Sequence, residues 1–86
     1  MTLQQLRTRI DQIDRHLLQH LTRRARLAIR VGRIKKQQGR QLFDPTRERT
    51  ILLRMAHANR GPLSDEAVGA IYREILRQIR RLEQSV

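Results

Sequence analysis

Apolar residues recur at Leu3, Leu6, Ile10, Ile13, Leu17, Leu21, Ala28 and Val31, mostly three or four positions apart. That spacing lays them along one stripe of an α-helix. No proline interrupts the run before about Gln38, and Gly32 is its lone weak point. The pattern predicts one long helix from Leu3 to about Gln38, ended by Gln38-Gly39-Arg40-Gln41. Asp44-Pro45 then pairs an N-cap residue with a proline at the first helical position, where the missing amide costs nothing. The second helix so started turns Ile51, Leu52, Met55 and Ala56 to one side and stops at Asn59-Arg60-Gly61-Pro62,. Ser64 caps a third helix, with Asp65 and Glu66 in the first turn, where the helix dipole favours negative charge. Its stripe is Val68, Ile71, Tyr72, Ile75, Leu76, Ile79 and Leu82. The expected fold is all-α, one long helix and two shorter ones, in a single domain over residues 1–86 without repeats or linkers.

The lengths carry a consequence. A helix of about 35 residues is about 50 Å long, whereas a compact monomer of this size would be only about 25–30 Å across. Two short helices cannot cover so long an apolar stripe. A second copy of the chain is expected to cover the remainder, giving an intertwined homodimer with the long helices paired.

Composition narrows the chemistry. The chain has no cysteine, which excludes disulfides, thiolate catalysis and cysteine-type zinc sites and fits a reducing cytoplasm. No apolar run is long enough to span a membrane, and no apolar h-region follows Met1-Thr2-Leu3-Gln4-Gln5, so no signal peptide is expected,. The net charge of +11 comes almost wholly from arginine, with Lys35 and Lys36 the only lysines. Arginine's planar fork suits carboxylates and phosphates. Nucleic acid, an anionic membrane surface and an anionic small molecule are the candidate partners. Phe43 and Tyr72 are the only aromatic residues, which speaks against base stacking on single strands. His16 and His20 share zinc-ligand spacing, but no third ligand accompanies them, so no metal is expected.

The position of certain charges is more telling than their number. At about 100° per residue, Arg24 and Lys35 fall at roughly 240° and 260° around the first helix, among Leu17, Ala28 and Val31 at roughly 260°, 280° and 220°. Arg7 lies near the stripe's edge. Glu48 precedes Leu52 by four residues, and Glu83 follows Ile79 by four. Each of these charges shares a face with apolar residues. An unpaired buried charge costs several kcal/mol, so these groups pair, snorkel to water or line a polar cavity within the bundle. Cations on apolar faces are out of reach of nucleic-acid phosphates. Neither nucleic acid nor a membrane is therefore expected as partner, and the cation excess points to an anionic small molecule.

Several motifs follow one another along the chain: Leu6-Arg7-x-x-Ile10-Asp11-x-x-Asp14, Leu21-x-x-Arg24, Val31-Gly32-x-x-Lys35, Asp44-Pro45-x-Arg47-Glu48, and Gly61-Pro62-Leu63-Ser64 leading into Ile71-Tyr72-Arg73-Glu74-Ile75. In this order and spacing they resemble the AroQ-class (type II, all-helical) chorismate mutases over essentially the whole chain. The resemblance implies an isomerase that converts chorismate to prephenate in phenylalanine and tyrosine biosynthesis, without cofactor. It implies that Arg24, Lys35 and Arg47 of one protomer, with Arg7 of the other, cage the two carboxylates and ether oxygen of chorismate, Lys35 being the main donor to that oxygen. Glu48 and Asp44 match acceptors for the ring hydroxyl and neighbouring backbone. Glu83 stands where the family has Gln, or in some members Glu, which also donates to the ether oxygen. Lys35, Arg24 and Glu83 are thus the expected catalytic groups. Ile79 stands where many members carry a Ser that touches a carboxylate, which implies that this contact is missing.

Plainer roles stay open for some of these residues. Asp44 can serve only as an N-cap, Arg47 as an exposed first-turn residue, and Arg7 as a partner of Asp11 or Asp14 on its own helix. An isochorismate-pyruvate lyase on the same fold would share the carboxylate clamps, but the Asp44-Pro45-x-Arg47-Glu48 start of the second helix argues for the mutase.

Overall fold

The computed structural model describes residues Met1–Val86 as three α-helices: α1 (Leu3–Gln37), α2 (Pro45–Ala58) and α3 (Asp65–Ser85). Their ends are set by groups that satisfy amides and carbonyls with no intrahelical partner. At the start of α1 the Thr2 hydroxyl accepts from Gln5 N at 3.1 Å, and Gln5 Oε1 accepts from Thr2 N at 2.8 Å. This capping box is a local signal that apolar periodicity does not carry. At the other end Gly39, at φ +66°, turns the chain so that its amide reaches Lys36 O at 3.1 Å and that of Arg40 reaches Lys35 O at 2.8 Å. A side chain is disfavoured in that left-handed conformation, so glycine stops the helix there. Asp44 caps α2 by accepting from Arg47 N at 2.9 Å, and Ser64 caps α3 by accepting from Ala67 N at 3.0 Å.

Helix α3 is the common element. It packs against both α1 and α2, which do not pack on each other. Only three residues are buried, one from each helix: Gly32, Ile51 and Leu76. So small a core cannot offset the conformational entropy lost on folding, which is on the order of 1–2 kcal/mol per residue.

The reason is the shape. The molecule measures 55 × 24 × 16 Å, with a radius of gyration of 15.9 Å; a compact chain of this length would have one near 12 Å. The long dimension is α1 itself. Its first five turns have no neighbour: Leu3, Leu6, Ile10, Ile13 and Leu17 are 47–64% exposed, though they form a continuous apolar row. No helix is long and apolar enough to cross a membrane.

Candidate active site

Where the second half of α1, the start of α2 and the end of α3 converge, they line a half-open cavity of about 270 Å³. Leu27, Ala28 and Val31 of α1, Leu42 of the connecting loop, Ile51 of α2 and Leu76 and Ile79 of α3 form its apolar part. Arg24, Asp44, Arg47, Glu48, Arg80 and Glu83 supply the charges. Local helical geometry brings them there. Arg24 is one turn before Ala28 and two before Val31, and Glu83 is one turn after Ile79, so each charge extends an apolar row into the cavity wall.

Of the residues expected from sequence, the cavity therefore unites Arg24, Asp44, Arg47, Glu48 and Glu83. Asp44 caps α2 and also lines the cavity. Lys35 stands at the edge, where its Nζ donates to Leu42 O at 3.1 Å. Arg7 is exposed on the uncovered part of α1, 17 residues before Arg24 and so about 25 Å away along the helix. A single chain does not bring it to this cavity.

Arg80 joins the site without having been foreseen. Its Nη1 donates to both oxygens of Glu48, at 3.1 and 3.0 Å, and its guanidinium carbon lies 4.5 Å from the centroid of the Phe43 ring. The two paired side chains are only 29% and 25% exposed, so the pair is screened less than a surface ion pair. A signal was present in the sequence: Arg80 follows Leu76 by four residues and precedes Glu83 by three, on the same face of α3,. By contrast, neither Arg24 nor Arg47 has a carboxylate within ion-pair distance.

The setting of Glu83 alters its titration. Its stem lies over α1 at Gly32, where an added Cβ would be 3.7 Å from Glu83 Cβ and Cγ. Burial there raises its pKa above the usual carboxylate range, Lys35 and Arg24 oppose the rise, and Glu48 adds to it. The net direction is upward, so burial outweighs the nearby cations. Glu83 thus holds its proton to higher pH than an ordinary glutamate and can act as a hydrogen-bond donor. The cavity offers unpaired guanidinium groups, a carboxyl whose neutral form is favoured by burial, and a largely apolar wall. That arrangement suits a small anion carrying more than one carboxylate.

Comparison with known proteins gives the same direction. A family model, chorismate mutase type II, matches residues 6–84. The chain is 38% identical over 87 residues to the bifunctional chorismate mutase/prephenate dehydratase of Pseudomonas aeruginosa, a match covering 95% of this chain and 24% of that protein. The chain thus spans about a quarter of the length of the curated relative. Among solved structures it is similar to a chorismate mutase (form II) of Thermus thermophilus, with a TM-score of 0.94 and 33% identity over 95% of this chain and 93% of that one. It is also similar to the chorismate mutase of Helicobacter pylori in complex with prephenate, with a TM-score of 0.88 and 29% identity over 96% of this chain and 90% of that one.

Proposed function

The chain belongs to the type II chorismate mutase family, and on that premise we propose that it converts chorismate to prephenate as a cytoplasmic enzyme of phenylalanine and tyrosine biosynthesis. The observation that carries the reading is the convergence of Arg24, Arg47, Glu48 and Glu83 on one cavity with Lys35 at its edge. The reaction is an intramolecular [3,3] rearrangement, so it requires no nucleophile, redox centre or metal. It requires that the enolpyruvyl side chain be held over the ring, an effect of orientation. It also requires donors for the negative charge that builds on the ether oxygen as the C–O bond breaks.

In this reading Arg24 and Arg47, which lack carboxylate partners, take the two carboxylates of chorismate. Lys35 exchanges Leu42 O for the ether oxygen, and protonated Glu83 donates to the same atom. Glu48 and Asp44 accept from the ring hydroxyl and nearby backbone. Arg7 enters from a second protomer. The uncovered row from Leu3 to Leu17 supports that homodimer, because pairing two such rows would bury the apolar surface each chain leaves in water.

The test is direct. Incubation with chorismate is expected to remove its ultraviolet absorbance, and acid treatment of the product to yield phenylpyruvate. Loss of absorbance without phenylpyruvate, or no loss at all, would refute the proposal. Pyruvate release from isochorismate at a higher kcat/KM would favour the lyase instead.

A further inference from the structure

The cavity poses an electrostatic problem that the roles above leave unsolved. A site for a dicarboxylate carries three carboxylates of its own in its wall, Asp44, Glu48 and Glu83. Burial favours the neutral form of Glu83, and Asp44 directs one oxygen to Arg47 N. Glu48 lies on the first turn of α2 with its carboxylate directed across to α3. Unpaired, it would repel a dianion wherever in the cavity that ligand sat. Arg80 is the only cavity arginine already committed to a carboxylate, and it holds both oxygens of Glu48 through a single nitrogen. The Phe43 ring beneath the guanidinium adds a cation–π contact,.

We propose that Arg80 is a positioning residue for dicarboxylate binding, which neutralises and orients Glu48 so that the cavity accepts a dianion while Glu48 keeps an oxygen lone pair for the ligand's hydroxyl. The inference rests on the functional reading above. Arg80 acts through Glu48 and does not itself take a carboxylate of the substrate. Its effect is felt alike in the ground state and the transition state, because the ligand's two carboxylates persist through the rearrangement. It therefore belongs to KM and not to kcat.

A double-mutant cycle reads this out. Wild type, Arg80→Met, Glu48→Gln and the double variant are compared by chorismate turnover and by calorimetric titration with prephenate, circular dichroism serving as the folding control. Arg80→Met is expected to raise KM and the prephenate Kd about ten-fold or more, with kcat changed less than about three-fold. In the Glu48→Gln background the same change is expected to move either constant less than about two-fold, since no charge remains to be neutralised. Arg80→Lys keeps the charge but loses the planar guanidinium over Phe43, and its KM is expected to lie between those of wild type and Arg80→Met,. An unchanged KM in Arg80→Met, or an equal penalty with and without the Glu48 charge, would overturn the inference, the latter by showing direct contact between Arg80 and ligand. If Arg80→Met does not fold, Arg80→Gln replaces it in the cycle, and an unchanged KM, or an equal penalty with and without the Glu48 charge, overturns the inference. A wild-type protein that binds prephenate but leaves chorismate intact would sink the mutase reading alone, since the Kd values still complete the cycle. One that does neither would sink both.

Discussion

Replacing Glu83 by glutamine isolates a single proton in the site. In the folded protein burial over Gly32, aided by Glu48, raises the Glu83 pKa against the pull of Lys35 and Arg24. The sign then follows. The donor exists below the raised pKa and is lost as pH rises through it, so wild-type kcat/KM should be high on the acid side and fall about ten-fold per pH unit above that value. A single donor to a developing oxyanion is worth on the order of 10²–10³ in rate. The fall should therefore run for about two to three pH units and level off when the donor is gone. The glutamine amide donates at any pH. Glu83→Gln should consequently match wild type on the acid side, then exceed it by a factor that grows about ten-fold per pH unit toward a ceiling of about 10²–10³. Initial rates of chorismate loss from about pH 5 to 9 for the two proteins measure that ratio directly. Stability offers a control with the same sign. A raised folded-state pKa means that wild type loses stability as pH rises through it, and Glu83→Gln should lose less over that window. Parallel rate profiles would refute the assignment and place Glu83 outside the reaction, whatever its burial.

The remaining predictions probe the other donors and the frame. Lys35→Ala should lower kcat by about 10²–10³ or more with its helical circular dichroism intact; near-normal turnover by the folded variant would remove Lys35 from the mechanism. Mixing inactive Arg7→Ala and Lys35→Ala proteins, after unfolding and refolding together, should restore activity. Each mixed dimer then holds one site with both wild-type groups, or about a quarter of all sites for random pairing; no recovery would show that Arg7 does not act across protomers. Gly32→Ala should raise unfolding stability by ~0.5–1 kcal/mol, because it removes a glycine from a helix interior and its Cβ would meet Glu83 at an ordinary 3.7 Å. A loss of stability in denaturant titration would show that Glu83 cannot accommodate even a methyl group there.

What could be read from the residues alone was whatever depends on near neighbours in the chain. Apolar spacing, Asp44-Pro45, Ser64 and the Gly39 stop placed all three helices, because periodicity and end-capping are settled within a few residues. The Thr2–Gln5 capping box is equally local, set by residues three apart. The same periodicity marked Arg24, Glu48 and Glu83 as charges on apolar faces, and these line the cavity. Tertiary structure decided what depends on distance through space. Arg80 and Glu48 are 32 residues apart and meet only because α2 packs on α3. The face that Arg80 shares with Leu76 was legible in the spacing, but its carboxylate partner was not. Lys35 reaches Leu42 O because Gly39 folds the connecting loop back along the end of α1. The direction of the Glu83 shift was likewise beyond the sequence, where burial and nearby cations oppose each other and neither magnitude is visible. It took the packing of α3 over Gly32 to let desolvation of the charged form prevail over the nearby cations.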